Sequence, residues 1–541
     1  MDPPRRTDLG YSLGNIPIPS ADSYRKRLVE KVESVIRRMR WKAFFFLNGE
    51  TRAQETETYG FPSQKTPPLV PQLKAFEDEL LNLVANLEFR NVSDPFQRQL
   101  KEDVKALTDT DDIIVKADKT KNLYKVNKRQ YEKLLRDNVT ANYRQAPDTT
   151  YTDINQEAQQ LAERLNISDR VDAMAKSEAF VSLKDHKDRF ANNLPCRLIN
   201  PAKSELGVVS KSILDRIVRA VRSATDVNLW RSTASVIEWY ENIQDKQQHT
   251  FICFDVVEYY PSITEALLAK ALDFASTYTN IEDGEREIVM HARKSVLFKD
   301  GQPWVKKNNA STFDVTMGSF DGAEVCELVG VYMLHELTAH VGRAQIGLYR
   351  DDGLAVLRNT TGSAAERIRK SLTAVFAGHG LKVTIDTNLK VVNFLDVTFN
   401  LSTGGYMPHR KPGDTPQYIN THSNHPPSII KQLPAGISRR VSTNSSSEEA
   451  FNEAAPMYNN ALLASGYAEG IEYMGQPAQK NRKRNRKRKI TWFNPPFSRS
   501  VRTNVAAAFL TMIDRHFKNT PLKKIFNRHN VKVSYSCMPN I

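Results

Sequence analysis

Apolar residues recur at helical spacing through the first part of the chain. In the segment 23–47, Leu28, Val32, Val35 and Ile36 recur at intervals of three and four, with lysines and arginines between them. This spacing predicts a basic amphipathic helix. A proline-containing stretch over 56–72 predicts a linker, and 73–89 is again helical in pattern. The pattern therefore predicts a helical N-terminal extension over residues 1–110.

Short strand-like runs replace the helical pattern after residue 110. The stretch "DDIIVKADKTKNLYKV" (111–126) has two β-prone runs on either side of a lysine-rich turn. The stretches "FVSLKDHKD" (180–188) and "PCRLINPAKS" (195–204) predict a second strand pair. An amphipathic helix is predicted from about Ser204 to Thr225. A hydrophobic strand that ends in an acid follows in "HTFICFDVVEYYPSI" (249–263).

The next elements alternate between helices and strands. A helix is predicted from about Asp321 to His340, then a hairpin around "GLYRDDGLAV" (347–356), a helix near 363–379 and strands in "KVVNFLDVTFNL" (390–401). After residue 402 the pattern is irregular and typical of loops. Further helices are predicted there at 445–466 and 505–517. These changes of pattern divide the chain into four predicted units, 1–110, 111–248, 249–401 and 402–541.

Charge changes this picture by suggesting a partner. The chain has 541 residues and a formal net charge of +14, an excess that favours binding to nucleic acid. The run 480–489 has eight basic residues in ten. It predicts a nuclear import signal, a nucleic-acid contact or both, and the alternative is a solvated linker. The residues of this run predicted to bind nucleic acid are Arg482, Lys483, Arg484, Arg486, Lys487 and Arg488.

Cysteine usage and hydropathy exclude several classes. The four cysteines have no CxxC spacing, which argues against a disulfide framework or a zinc finger and favours a reducing compartment. No run of about 18 apolar residues occurs, so no membrane partner is predicted. We therefore expect a soluble, intracellular protein.

Two adjacent aspartates, Asp351 and Asp352, stand in a run that otherwise has the pattern of a strand. Asp255 ends another apolar strand about 95 residues earlier. Paired like charges in a folded core need a compensating cation. One interpretation is a polar hairpin tip. The other is a convergence of carboxylates on Mg²⁺, which prefers oxygen ligands, and two such ions suit in-line attack at phosphorus. The order and spacing of the three acids favour the second interpretation.

Four motifs in this region resemble those of reverse transcriptases, in the same order. "FDVVEYYPSI" (254–263) resembles the first catalytic motif, and "YRDD" (349–352) resembles the Tyr-x-Asp-Asp motif. "TMGSFDGAEVCELVG" (316–330) is similar to the Gly-Ser motif, and "NFLDVTFNL" (393–401) to the hairpin that grips the primer end. The resemblance implies an α+β right-hand polymerase fold and RNA-templated DNA synthesis. Residues 111–248 would form the fingers, 249–401 the palm and 402–541 a thumb-like, basic and mainly helical region.

A finer resemblance concerns the segments ahead of the palm. "IIVKADKTKNLYKV", "FVSLKDHK" and "PCRLINPAKS" are similar to ordered blocks in Penelope-like retroelement reverse transcriptases, a group close to telomerase. "SNHPPSIIKQLP" and "FNRHNVKVSYSCMPNI" are similar to the downstream part of such elements. The resemblance implies a retrotransposon enzyme that acts in the nucleus on an RNA template, a DNA primer and deoxynucleotides.

The sequence departs from this family in three places. Arg350 occupies a position that is more often small or apolar, so the contact to the primer end is in doubt. "MGSFDGA" (317–323) lacks the Ser-Pro often found there. Many relatives continue into a GIY-YIG nuclease beyond the position of Ile541.

The metal site is assigned on the carboxylates. Asp255 and Asp351 are predicted to bind two Mg²⁺ ions directly, with Mn²⁺ as a substitute, and Asp352 to support them. By resemblance, Val256 would add its backbone carbonyl.

The nucleotide site comes from the resemblance and from position in the chain. Lys184 and Arg197 would hold the incoming triphosphate, with Lys187 as a weaker candidate; the alternative is that they are solvated surface cations. Tyr260, five residues after Asp255, is predicted to lie under the sugar and to exclude a 2′-hydroxyl. A second set is predicted to contact the nascent base pair or the template and product backbone: Gly318, Ser319, Lys119 and Lys121.

Two further candidates are weaker. Lys390 precedes the "NFLDVTF" strand and is a candidate for protonating the leaving pyrophosphate. His409, His422 and His425 stand in a loop with uneven spacing and no nearby cysteine. Structural or backbone-contacting roles are therefore favoured for these histidines over zinc binding.

Two alternative functions remain open at this point. The first is an RNA-templated RNA polymerase, which shares the palm, and Tyr260 argues against it. The second is a nucleic-acid-binding protein with a decayed palm, and the three intact carboxylates give it no support.

Overall fold

A computed structural model of the chain describes residues 5–6, 14–49, 59, 65–120, 122–185, 187, 190, 194–202, 204, 206–307, 312–411, 414–475 and 490–539. Helices and strands both contribute throughout. The helices are α1 Ala21–Asn48, α2 Pro71–Ala85, α3 Pro95–Thr108, α4 Lys128–Asn142, α5 Thr149–Arg164, α6 Leu206–Thr225, α7 Thr233–Glu241, α8 Tyr259–Ser262, α9 Glu265–Ser276, α10 Asp283–His291, α11 Gly322–Val341, α12 Gly362–Gly378, α13 Pro427–Thr443, α14 Glu448–Ala464 and α15 Val505–Phe517. The strands are β1 Arg5–Arg6, β2 Ile113–Lys116, β3 Leu123–Val126, β4 Tyr143–Gln145, β5 Phe180–Leu183, β6 Cys196–Ile199, β7 Asn228–Leu229, β8 His249–Val256, β9 Leu297–Lys299, β10 Gln302–Lys306, β11 Ile346–Tyr349, β12 Asp352–Arg358, β13 Val383–Leu389, β14 Val391–Phe394, β15 Val397–Asn400, β16 Tyr406–Pro408, β17 Thr491–Phe493 and β18 Val531–Val533.

The two ends of the described chain share one hydrophobic core. Helices α1 and α2 pack with α15 and with the parallel pair β17–β18. The ring of Phe76 in α2 lies 5.9 Å from that of Phe509 and 5.3 Å from that of Phe517, measured between centroids. The pattern of the sequence predicted separate units at 1–110 and 402–541. In the structure, helices of the first unit and residues 491–538 of the second form one packed body.

The region predicted as fingers contains both expected strand pairs. Strands β2 and β3 form an antiparallel hairpin, and β5 and β6 form another. Ala117 and Leu183 bridge the two pairs in parallel, and Val115, Val126 and Leu183 lie in a common small core. The lysine-rich turn between β2 and β3 therefore lies beside the loop that follows β5.

The central sheet has the strand order β13-β8-β12-β11-β7. Side chains of β8 alternate between its two faces, as extended backbone requires. Ile252 and Phe254 pack against α6, α9, α11 and α12 in the largest core. Phe251 faces a second core that α7 and the β14–β15 hairpin complete. Helices therefore cover one face of the sheet, and β8 and β12 lie near its middle.

The β11–β12 hairpin turns at Arg350 and Asp351, between the paired residues Tyr349 and Asp352. Arg350 has φ +56°, in the left-handed region. The predicted hairpin is confirmed, and its tight turn sets where the two aspartates stand.

The segment after residue 402 is more ordered than its pattern predicts. Strand β16 joins the sheet β14-β15-β16, and α13 begins at Pro427. Pro434 lies inside α13 and Gly436 follows it. Both residues lower helix propensity, so this helix is missed by sequence periodicity. The predicted α+β class is confirmed, since helices and strands both contribute to the main core. None of the helices in the described ranges is both long enough and apolar enough to span a membrane.

Candidate active site

Three carboxylates meet at one end of the central sheet. Asp255 is the last residue but one of β8 and lies directly opposite Asp352 in the antiparallel pair with β12. Asp351 stands in the adjoining turn, and the backbone N–H of Val256 donates to its carbonyl oxygen at 3.0 Å. The hairpin turn is thus tied to the end of β8. The three residues are therefore neighbours at this end of the sheet, and the convergence of their carboxylates on one ion stays a prediction.

Mutual repulsion and burial perturb these groups. Burial, followed by the charges of Asp351 and Asp255, raises the pKa of Asp352 to about 6. Burial and the charge of Asp351 also raise the pKa of Asp255. The positive charges of Lys119 and Lys411 lower the pKa values of both carboxyls and so oppose this shift. The site is therefore one in which added positive charge would be stabilising.

The donor set fits a hard divalent cation in its chemistry. Carboxylate oxygens are the ligands that Mg²⁺ prefers, and neighbouring acids with raised pKa values gain most from a cation between them. As placed, no three His, Cys, Asp or Glu side chains of the described residues form a ready cage for an ion. Asp255 and Asp351 are the residues that would hold Mg²⁺, with Asp352 in support.

A cleft of about 610 Å³ opens beside the carboxylates. It lies between the strand pairs of the fingers, the end of β8 and the hairpin β9–β10. The cleft brings together seven of the residues singled out from the sequence, which are Lys119, Lys184, Arg197, Asp255, Val256, Tyr260 and Asp351, together with the weaker candidate Lys187.

The basic side of the cleft is held by hydrogen bonds between fingers segments. One carboxylate oxygen of Asp185 accepts from Thr120 Oγ1 at 2.6 Å, Asn122 Nδ2 at 2.8 Å and Tyr124 OH at 2.9 Å. These contacts fix the turn after β2, which carries Lys119, to the loop after β5. Lys119 therefore projects from an anchored turn.

Lys184 and Arg197 lie side by side on this wall. Arg197 Nη1 donates to Asp118 Oδ1 at 2.8 Å, which orients the guanidinium. Burial and the charge of Arg197 lower the pKa of Lys184. Two cations forced together in a partly buried cleft are poised to bind an anion such as a triphosphate.

The adjacent residues Tyr259 and Tyr260 face different surroundings: Tyr259 faces the core and Tyr260 faces the cleft. Tyr259 is 3% exposed and donates from its hydroxyl to the carbonyl of Cys326 at 3.0 Å. Tyr260 lines the cleft, and burial raises the pKa of its hydroxyl to about 12. Its ring borders α11, since a Cβ placed on Gly322 would lie 3.4 Å from Tyr260 Cε1. Tyr259 is the core aromatic, and Tyr260 presents a supported, neutral ring to the cleft.

The backbone at Gly318 lies close to another backbone group. That group belongs to this chain and not to a nucleic acid. Gly318 has φ +116°, and a Cβ there would lie 2.4 Å from the carbonyl oxygen of Asn200. Ser319 Oγ donates to the carbonyl of Thr316 at 3.0 Å. Of this motif, the preceding residues Thr316 and Met317 are the ones that line the cleft. The predicted contact of Gly318 and Ser319 with a base pair stays a prediction.

Lys390 is placed away from the carboxylates. Its Nζ donates to the carbonyls of Gln247 at 2.8 Å and His249 at 2.7 Å. His249 begins β8 and Asp255 lies at its other end, roughly 20 Å away at the usual rise of a strand. The suggestion that Lys390 protonates pyrophosphate is therefore wrong.

The three histidines have separate partners. His422 Nδ1 lies 2.9 Å from Asp94 Oδ2, and His425 Nδ1 lies 2.9 Å from Ser423 Oγ. His409 donates its backbone N–H to the carbonyl of Asp396 at 2.7 Å. The side chains of His422 and His425 thus have partners within the protein, and the roles expected for the three histidines stay predictions. Lys121 and the basic run 480–489 lie outside the described residues.

Sequence reasoning missed several residues of the cleft, among them Tyr143, Lys306 and Lys307. Lys306 and Lys307 belong to the end of the β9–β10 hairpin. This hairpin is inserted between the first catalytic motif (254–263) and the Gly-Ser motif (316–330). The only signal in the sequence is the "VKK" stretch at 305–307. Lys411, whose charge reaches Asp255 and Asp352, stands in a segment with no periodicity.

Comparison with known proteins gives a family match over a small part of the chain. The animal helix-turn-helix domain family matches residues 417–471, a segment that contains α13 and α14. No curated protein matches the sequence.

Among solved structures, the chain is similar to telomerases. A Candida albicans telomerase in complex with a fragment of telomeric RNA has 10% identity and a TM-score of 0.47, with 93% of this chain and 94% of that chain covered. Apo telomerase from Candida tropicalis has 11% identity and a TM-score of 0.43, with 82% and 84% covered. The RNA-dependent RNA polymerase of a human picobirnavirus has 9% identity and a TM-score of 0.34, with 88% and 91% covered.

The sheet and its acidic end define the class of the chain at the level of fold. Two paired strands, β8 and β12, present carboxylates at one end, and a basic cleft adjoins them. Helices α6, α9, α11 and α12 cover one face of the sheet. This is the fold of a right-hand nucleic-acid polymerase.

Proposed function

We propose that this chain is an RNA-directed DNA polymerase of a Penelope-like retrotransposon, which extends a DNA 3′ end on an RNA template. The observation that carries the proposal is the pairing of Asp255 with Asp352 beside Asp351, at the mouth of a basic cleft that Tyr260 also lines. The carboxylates lie at one end of the cleft and the lysine and arginine side chains along its wall. This separation suits a triphosphate whose reacting end lies at the carboxylates.

The residues of the cleft have distinct tasks in this proposal. Lys184 and Arg197 bind the triphosphate and orient its α-phosphorus towards the sheet. Asp255 and Asp351 would hold Mg²⁺, with the Val256 carbonyl as a further ligand and Asp352 in support. Bound Mg²⁺, or Mn²⁺ in its place, would stabilise the attacking and leaving oxygens of an in-line displacement.

The assignment to Penelope-like elements rests on the resemblance of the fingers blocks, and in the structure these blocks pack against one another. The blocks containing Ala117 and Leu183 bridge each other, and Asp185 holds the turn that carries Lys119. They therefore act together as one wall of the cleft. Template RNA and primer DNA would follow the basic residues outward from this wall.

We also propose that the protein acts in the nucleus, because of the basic run 480–489. Eight basic residues in ten suit an import signal. A fluorescent reporter fused to residues 480–489 should accumulate in nuclei, and a matched fusion with glutamine at the eight basic positions should not. Equal distribution of the two fusions would remove this part of the proposal.

A primer-extension assay tests the activity directly. The purified chain is incubated with an RNA template, an annealed DNA primer and Mg²⁺, with either deoxynucleotides or ribonucleotides. We expect extension with deoxynucleotides and loss of extension on addition of EDTA. Equal extension with ribonucleotides would instead favour an RNA-templated RNA polymerase. Nucleic-acid binding with no extension in any arm would favour a binding protein.

A further inference from the structure

Lys306 makes an unusual contact for a lysine in a basic cleft. It ends β10 and its side chain is 18% exposed. Its ammonium group donates to the backbone carbonyl of Pro261, the residue directly after Tyr260. Both Lys306 and Pro261 line the cleft. The contact therefore joins the β9–β10 hairpin to the segment that carries Tyr260.

A buried carboxylate, that of Asp314, holds the Lys306 side chain in this position. Its Nζ lies 3.3 Å from Asp314 Oδ1, and Asp314 is 3% exposed. The second oxygen of Asp314 accepts a hydrogen bond from Tyr143 OH at 2.6 Å. Tyr143 lies directly opposite Lys306 in the β4–β10 pair. The ammonium group is thus aligned by a carboxylate that is itself oriented by a neighbouring strand.

The segment that receives this contact is short, and it is held mainly by tertiary contacts. Helix α8 has four residues, which is too short to be stable without tertiary contacts. It is entered through Glu258 at φ +48°, and Pro261 has no N–H to donate. Tyr259 anchors the segment on the core side. On the cleft side, the charged hydrogen bond from Lys306 supplies the matching restraint.

We propose that Lys306 is a positioning residue for Tyr260, and that the Lys306–Asp314–Tyr143 set sharpens the choice of deoxynucleotide over ribonucleotide. This rests on the proposed function, because the set acts only through the ring predicted to exclude the 2′-hydroxyl. Discrimination by exclusion depends on a ring that cannot yield, and a loosened turn would let the ring move aside.

A direct role of Lys306 in binding phosphate makes a different prediction. A phosphate contact would serve deoxynucleotides and ribonucleotides alike, so its loss would raise KM for both and leave their ratio unchanged. A positioning role instead changes the ratio of kcat/KM values. The selectivity ratio, defined as kcat/KM for a deoxynucleotide over that for its ribonucleotide, therefore separates the two.

The test measures the selectivity ratio in single-nucleotide additions by the full chain. Lys306→Met should lower it by at least about fivefold, and Lys306→Arg should keep most of it because a cation remains. Tyr143→Phe, which removes one hydroxyl, should lower it by roughly twofold to threefold. The matched control is Lys307→Met, since Lys307 also lines the cleft but donates to the Thr140 carbonyl at 2.5 Å. Its selectivity ratio should equal that of wild type.

A double variant shows whether Lys306 acts through Tyr260. In the Tyr260→Ala background, Lys306→Met should lower the selectivity ratio no further, because the ring it positions is gone. Additive effects would overturn the proposal, as would an unchanged ratio in Lys306→Met. Should a thermal melt show that Lys306→Met does not fold, the selectivity ratio of Tyr143→Phe serves as the test. A wild-type ratio in Tyr143→Phe would then overturn the proposal. A wild-type enzyme that extends no primer contradicts the proposed function itself, which is a separate result.

Discussion

Asp255 and Asp352 lie directly opposite each other across the antiparallel strands β8 and β12. The residues come from motifs about 95 positions apart in the chain, and a single strand pairing brings them together. Because the register of β12 against β8 continues unbroken from Asp352 to Arg358, this juxtaposition is set by the packing of the whole strand. A slip of one residue would turn Asp352 to the other face of the sheet.

Loss of a catalytic carboxylate should remove extension without removing nucleic-acid binding. Asp255→Ala and Asp351→Asn should each reduce the extension rate by more than about a hundredfold, or roughly 2.7 kcal/mol of barrier. Affinity for an RNA–DNA hybrid should stay near that of wild type, because phosphate binding comes mainly from lysine and arginine. Single-turnover extension and filter binding measure the two quantities. A variant that retained more than about a hundredth of the rate would contradict its assignment as a direct metal ligand.

The acidic end of the sheet should make stability depend on pH. Asp352 has a pKa of about 6 in the folded chain, against about 3.9 when unfolded. Well below pH 4 the carboxyl is protonated in both states and contributes nothing. Between about pH 4 and 6 the folded chain binds more protons than the unfolded chain, so the free energy of unfolding falls as pH rises. Above that range Asp352 is ionised in both states, and the free energy of unfolding stays lowered by the full amount.

Asp352→Asn should therefore stabilise the protein in EDTA at pH 7.5, by up to roughly 3 kcal/mol, and the gain should vanish near pH 4. Urea denaturation at several pH values measures it. Asp386→Asn, on the adjacent strand β13 opposite Cys253, controls for a change of charge in the same sheet. A gain that is equal at pH 4 and pH 7.5 would show that titration of Asp352 is not its cause. Added Mg²⁺ should reduce the gain, because the wild-type carboxylates then have a counter-charge.

A buried ion pair supports the turn that precedes α11. Arg293 is 1% exposed and donates to Asp321, which is fully buried and also accepts from Ser210. Arg293→Met would leave Asp321 buried without its cation and should destabilise the protein by about 3–5 kcal/mol. Adding Asp321→Asn should recover part of this loss, since no charge then remains. The free energy of unfolding in urea measures both.

An exposed ion pair serves as the control for Arg293. Arg358 donates to Asp245 Oδ2 at 2.8 Å, and both side chains are 54% exposed. Arg358→Met should change the free energy of unfolding by less than about 1 kcal/mol. Equal losses in the Arg358 and Arg293 variants would contradict the importance given to burial.

The elements that sequence predicted well are those whose stability is mostly local. Helix α15 has an apolar stripe and occupies Val505–Phe517 as its pattern predicts. The β2–β3 and β11–β12 hairpins are likewise marked by short β-prone runs around a polar turn. Helix α13 was missed because Pro434 and Gly436 weaken its local signal, so that its formation depends on packing against α14.

The parts of the site that sequence could not predict depend on distant contacts. Asp255, Asp351 and Tyr260 stand in recognisable motifs, and the structure places them in one cleft. Lys306 reaches Pro261 across 45 positions, and Tyr143 reaches Asp314 across 171. Neither pair has a periodic or compositional signal. Likewise, the shared core of α1, α2 and α15 joins the two ends of the described chain, and pattern along the sequence assigned those ends to separate units.

Sugar choice is expected to depend on the ring of Tyr260. The ring lines the cleft beside Asp255 and Asp351 and is backed by α11 at Gly322. Its hydroxyl, with a pKa of about 12, stays neutral at working pH. Tyr260→Ala should lower the preference for deoxynucleotides at least about tenfold, or about 1.4 kcal/mol. Tyr260→Phe should keep it, because the ring excludes the 2′-hydroxyl and the phenolic oxygen is not needed. The ratio of kcat/KM for deoxynucleotide over ribonucleotide measures both, with Tyr259→Phe as a control for loss of a hydroxyl on the neighbouring core residue. A wild-type enzyme that uses both sugars equally would refute this role and favour RNA synthesis, and a preference unchanged in Tyr260→Ala would assign the discrimination to another part of the cleft.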